Sequence, residues 1–138
     1  MIPRPGIDLL TSRGYEVVVS PEDRMLSKEE LIGFIKGQNY DAVLCLLTDK
    51  IDADVLEASR PSVKIFANYA VGFDNIDKEA AKRLGIMITN TPDVLTDTVA
   101  EHTFALMLAV AHRVVEADKF VRAGKYAGWA PMLLLGAD

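Results

Sequence analysis

At 138 residues the chain suits one domain with an appendage and is too short for two full domains. Its 50% hydrophobic and 25% charged content is that of a chain able to bury a core. A net charge of −5, with no basic stripe to neutralise phosphates, argues against a nucleic-acid partner. The longest apolar-rich run, residues 104–111, is too short to span a bilayer, and no charged-then-apolar signal opens the chain, so no membrane association and a cytoplasmic location are expected.

Strand-like and helix-like segments alternate, the pattern of an α/β layer fold. Residues 6–13 read as a short helix stopped at Gly14. The β-branched run 15–20 (YEVVVS) reads as a strand broken by Pro21. Ser27 with Glu30 three residues on is a capping-box pattern, opening a helix to Lys36 with Gly37 after it. Residues 41–47 (DAVLCLL) form a nearly continuous apolar run, expected to be a strand buried on both faces. Cys45 in that run has no second cysteine to pair with and reads as a small buried hydrophobe. A short helix over 52–59, a strand over 63–67, a helix from Asp77 to Leu84 stopped by Gly85, and a strand over 86–89 follow.

The segment Asn90-Thr91-Pro92 marks a change of composition. Beyond it, Thr98 and Glu101 form a second capping-box pattern, expected to open one helix to about Arg122. Ala100, Phe104, Met107, Leu108, Ala111, Val114 and Val115 recur at helical spacing, a face wide enough to seek cover from another domain or subunit. The run Met132 to Leu135 also asks for cover.

Four motifs stand in register: residues 44–49 (LCLLTD), 68–77 (NYAVGFDNID), Thr89-Asn90-Thr91-Pro92, and Thr98-Val99-Ala100-Glu101, with Trp129-Ala130-Pro131 behind them. In this order the chain resembles the N-terminal part of the D-isomer-specific 2-hydroxyacid dehydrogenases, in their glyoxylate/hydroxypyruvate reductase branch. The resemblance implies a flavodoxin-like three-layer α/β substrate domain over residues 1–92. Residues 93–138 would then open the NAD(P)-binding domain, with an interdomain and dimerisation helix. It also implies reduction of small 2-keto acids with NAD or NADP in the complete protein, and a homodimer through residues 98–135.

By that resemblance Val71 and Gly72 bind the substrate carboxylate. Leu44 walls the substrate pocket, Trp129 reaches the neighbouring subunit's site, and Val99 lies beside the nicotinamide. The residues also allow this role, since a strand-to-helix turn lets backbone N–H groups converge on an anion, but Gly72 taken alone reads more readily as an ordinary strand-to-helix turn, and the register of the motifs is what favours the site. For Leu44 core packing is an equally good reading, and for Trp129 so is local packing. The departure at Met132-Leu133, where the branch often has an aromatic, leaves substrate size open.

No two of the nine glycines are separated by a single residue, so the Gly-rich turn that holds NAD(P) is missing. The family's catalytic arginine, acid and histidine follow that turn, so no catalytic residue is assigned, and the chain is expected to be an inactive fragment binding no cofactor. His102 and His112 read as surface or interface residues, and no metal-ligand spacing appears. The family's first strand would precede Ile2 and lie between strands 15–20 and 41–47. Its absence is expected to leave a gap rather than a continuous ladder between those two. Two other readings stay open, a sibling phosphoglycerate or formate dehydrogenase, and a binding or dimerisation module of the co-repressor type.

Overall fold

The computed structural model describes residues 2–129. The chain divides into two compact units, Met1–Thr91 and Pro92–Asp138.

The first unit opens with α1 (Arg4–Ser12), which has Pro5 in its first turn, where a missing N–H costs nothing, and Gly14 at a φ of 85° beyond its end. Helix α2 (Lys28–Ile35) starts at the expected capping box. The Ser27 hydroxyl accepts from the Glu30 N–H at 3.2 Å, and the Glu30 carboxylate accepts from the Ser27 N–H at 2.8 Å. Next come β1 (Ala42–Leu46), α3 (Ala53–Ala58), β2 (Ile65–Tyr69), α4 (Lys78–Leu84) and β3 (Met87–Thr89). Asp52 and Asp77 cap α3 and α4 through their carboxylates, and Gly85 ends α4 in the left-handed conformation at φ 68°.

Among the described residues the strands form one parallel sheet in the order β1-β2-β3. Cys45, Phe66 and Asn68 point to the face covered by α2, α3 and α4 and are buried, with Leu31, Ile35, Val55, Leu56 and Ala80 around them. The fold is therefore parallel α/β, and these residues supply two of the flavodoxin-like layers.

In this unit three expectations need correction. Residues 41–47 are not buried on both faces. The alternate positions Ala42 and Leu44 are exposed, Leu44 at 48%, because α2 to α4 all stack on the other face and α1 packs on no element. Residues 15–20 are not a strand. Among the described residues they join no ladder, leaving Tyr15, Val18 and Val19 in solvent, because extended backbone becomes a strand only when a neighbour completes its ladder. No ladder among the described residues joins them to β1, and with no strand at 15–20 there is no strand for a gap to separate from it. β2 begins and ends two residues later than the apolar run suggested, since Asn68 and Tyr69 pair in register with Cys45 and Leu46.

In the second unit, the single helix expected from Thr98 to about Arg122 is two. Helix α5 (Thr96–Ala111) begins behind Leu95, which offers no side-chain cap, so Thr98 and Glu101 lie inside it rather than forming a capping box. It closes at His112, and Arg113 turns left-handed at φ 53° before α6 (Val114–Arg122). His102 therefore lies within α5 and His112 at its C-terminal cap. Phe104, Met107, Leu108 and Val110 are exposed, Val110 at 78%. The tail residues 130–138, with the Met132 to Leu135 run and the end of the Trp129-Ala130-Pro131 motif, lie outside the described residues.

Candidate functional site

The loop from Ala70 to Ile76 leaves β2 at the carboxyl edge of the sheet, where parallel α/β folds place their ligands. Its carbonyls are individually held. The Thr91 N–H donates to Ala70 O at 2.9 Å, Asn90 Nδ2 to Val71 O at 2.8 Å, and Asn68 Nδ2 to Gly72 O at 2.9 Å. Neither the Val71 nor the Gly72 N–H has a hydrogen-bond partner among the described residues, and both residues are exposed. Two adjacent backbone donors without a partner, on a loop whose first three carbonyls are held, offer an anion two N–H groups.

Beneath the loop lies an amide network. Asn68, 2% exposed, and Asn75 form a reciprocal pair, with Nδ2 to Oδ1 distances of 3.0 and 3.3 Å. Asn75 Nδ2 also donates to Leu46 O at 3.1 Å and to Asp49 O at 3.0 Å, tying the end of β1 to the loop after β2. Ile51 completes the closure. Its N–H donates to Asn75 O at 2.8 Å, its carbonyl accepts from the Asp77 N–H at 2.9 Å, and it bridges to Ile76. The Cys45 thiol donates to Asn68 Oδ1 at 3.5 Å. Burial, helped by the nearby Asp49 charge, pushes that thiol up to about 12, so it stays a neutral donor.

Gly72 does not have a positive φ, and a methyl group added there would meet only Leu47 Cδ1, at 3.8 Å. Its bare Cα is not required by the turn.

An open cleft of about 220 Å³ lies beside the loop, lined by Phe73, Lys78, Ile88, Thr89 and Asn90, with Lys78 Nζ 4.4 Å from the centre of the Phe73 ring. It lies on the side of Asn90, which binds the Val71 carbonyl. The two N–H groups address the other side, because C=O and the next N–H of a trans peptide point in opposite directions. A larger hollow of about 450 Å³, lined by Glu30, Gly33, Phe34, Gln38 and Tyr40, opens at the amino end of β1, away from this edge.

Of the residues singled out in the sequence, Val71 and Gly72 stand side by side in this loop. Leu44 lies on β1 opposite Ala67, on the uncovered sheet face. The residue that approaches Gly72 from the β1 side is Leu47, which sequence reasoning did not single out. Val99 (59% exposed, in α5) and Trp129 (83% exposed) belong to the second unit. The individual roles of Asn68, Asn75 and Asn90 were also missed. The only signal for them was their presence in the NYAVGFDNID and TNTP motifs, and a polar residue inside a strand-like run.

Among the described residues no cluster of acids, histidines or cysteines could hold a metal, and no helix is long and apolar enough to cross a membrane. None of the strand-to-helix turns after β1, β2 and β3 carries a Gly-rich phosphate cradle, so these residues do not fit the pyrophosphate of a dinucleotide.

The family model for the D-isomer specific 2-hydroxyacid dehydrogenase catalytic domain matches residues 2–126. The chain belongs to this family. It is 48% identical to a glyoxylate reductase of Thermofilum pendens, over all of this chain and 40% of that protein. Its fold matches the crystal structure of the TT0316 protein from Thermus thermophilus with a TM-score of 0.89 and 41% identity, covering 100% of this chain and 43% of that one. An acyclic imino acid reductase in complex with NADPH and D-Arg matches with a TM-score of 0.76 at 26% identity, covering 97% of this chain and 41% of that one. The chain spans about 40% of the length of the curated relatives it matches.

Proposed function

We propose that this chain forms the substrate side of an NAD(P)-dependent reductase of small 2-keto acids such as glyoxylate and hydroxypyruvate. The observation that carries this reading is the pair of unpartnered N–H groups at Val71 and Gly72, at the carboxyl edge of a parallel sheet. A substrate carboxylate accepts both, and such charge-assisted bonds fix its orientation as well as its affinity. Holding the carboxylate by two bonds leaves the neighbouring keto carbon in one orientation, and orientation is a large part of what an enzyme contributes to a bimolecular step. Leu44, with Leu47, gives the site an apolar wall. Val99 offers a cofactor nicotinamide only apolar contact and backbone.

The dinucleotide itself would be held by residues outside this chain, in keeping with the absent Gly-rich turn and with the extra length of the relatives. The bound NADPH of the imino acid reductase supports a nicotinamide cofactor for the whole protein. A homodimer through residues 98–135, with Trp129 reaching the partner's site, would cover the apolar residues of α5.

The test is an amide-resolved NMR titration of this chain with glyoxylate and with oxalate, using chloride as the control ion. Val71 and Gly72 amides should shift with both carboxylates and not with chloride. Gly72→Ala should fold and still bind, because its methyl group meets only Leu47, whereas Gly72→Val should lose most of the response. The chain alone should oxidise no NADH in the presence of glyoxylate. Shifts elsewhere with none at 71 and 72, or turnover above a buffer blank, would refute the assignment.

A further inference from the structure

We infer that Asn90 is a positioning residue for the substrate-carboxylate loop, acting through the peptide planes of residues 70–72 rather than by touching the substrate. The inference rests on the reading of Val71 and Gly72 as carboxylate donors.

In a trans peptide, the carbonyl of one residue and the N–H of the next lie in one plane and point in opposite directions. Whatever grips the Ala70 carbonyl therefore aims the Val71 N–H, and whatever grips the Val71 carbonyl aims the Gly72 N–H. Both grips come from one dipeptide just past the end of β3. The Thr91 N–H takes Ala70 O at 2.9 Å, and Asn90 Nδ2 takes Val71 O at 2.8 Å. The two donor-bearing planes are thus fixed from behind by adjacent residues, one through its backbone and the other through its side chain. The next plane is held from below by buried Asn68 through Gly72 O at 2.9 Å.

The chemistry requires a short side chain with an N–H donor. An aspartate has the same size but sets a carboxylate oxygen against the Val71 carbonyl, which repels it. Alanine leaves the Val71 carbonyl to water, and the Gly72 peptide is then free to rotate. Asn90 is itself only half-buried and lies at the rim of the sheet, so the core does not depend on it. An anion held by two preorganised N–H groups loses affinity when one of them must be ordered on binding.

The experiment compares oxalate binding by wild type, Asn90→Ala, Asn90→Asp and Ser27→Ala, read from the Val71 and Gly72 amides, with Ile51, Phe66 and Ile76 amides reporting on the core. Ser27→Ala removes the α2 cap, a structural loss remote in sequence from the loop. The expected result is a roughly tenfold weaker affinity in both Asn90 variants, typical of losing one well-placed hydrogen bond. Their core amides should be unchanged, and Ser27→Ala should bind as wild type does. Asn90 variants that bind within twofold of wild type would overturn the inference while leaving the function of Val71 and Gly72 intact. Loss of affinity in Ser27→Ala, or disrupted core amides in both Asn90 variants, would overturn it too, by assigning the effect to stability. No oxalate response at 71 and 72 in wild type would bring down the functional reading and this inference with it.

Discussion

Replacing Asn75 by alanine should show how much of the site's rigidity comes from side-chain amides. Four hydrogen bonds involve its side chain: Nδ2 to Leu46 O, to Asp49 O and to Asn68 Oδ1, and Oδ1 from Asn68 Nδ2. Their fates after truncation differ. Leu46 and Asp49 are only half-buried, so water can replace the lost donor at their carbonyls, at a small net cost. Asn68 is 2% exposed and keeps only the Gly72 carbonyl and the Cys45 thiol as side-chain partners. A buried polar group stripped of a partner costs about 1–3 kcal/mol, and a net solvent-replaced bond roughly 0.5 kcal/mol. The sum is about 2–4 kcal/mol, a large share of the roughly 5–15 kcal/mol that holds an ordinary domain together. With a urea m-value of about 1.5 kcal/mol/M, the unfolding midpoint should fall by roughly 1.3–2.7 M at constant m. Equilibrium urea unfolding followed by far-UV circular dichroism measures this directly. Asn68→Ala should cost a similar amount, and the double variant should cost less than the sum, because the pair shares its bonds. A midpoint shift below about 0.3 M for Asn75→Ala would mean that the network does not anchor the loop, and the energetic argument for a rigid carboxylate site would fail.

Acid should weaken α2 in a defined window. The Arg24 guanidinium, followed by the Ser27 N–H, holds the Glu30 carboxyl down at about 2, against an ordinary value of 4.5. Because the folded pKa is the lower one, this contribution is present in full above the unfolded value and disappears as pH falls through the folded value. The urea midpoints of wild type and Glu30→Gln should therefore differ above about pH 5 and converge near pH 2, and a difference independent of pH would contradict the assignment. Self-association is the third expectation. With Phe104, Met107, Leu108 and Val110 exposed along α5, sedimentation at tens of micromolar should show a dimer, weakened by Phe104→Glu, whereas a clean monomer would count against the dimer reading.

Much of the molecule was legible in the residues because the signals were local. The Ser27–Glu30 box, the Asp77 cap and the Gly85 stop depend on atoms a few residues apart, and each appears where the sequence placed it. The motifs from residue 44 to 101 were enough to name the family, since they stand in register in a single chain. What the sequence could not decide depended on neighbours. Residues 15–20 have every preference of a strand but no ladder partner, and β propensity without pairing leaves only extended chain. The run around Leu44 reads as doubly buried, yet helices cover one face, and composition does not say on which side a helix will pack. Neither Gly nor Pro marks the break at Arg113, so its left-handed turn was invisible to pattern reading. The free N–H groups of Val71 and Gly72 are a tertiary outcome as well. The carbonyls beside them are held by Asn68 on β2 and by Asn90 and Thr91 beyond β3, contacts that no local pattern announces.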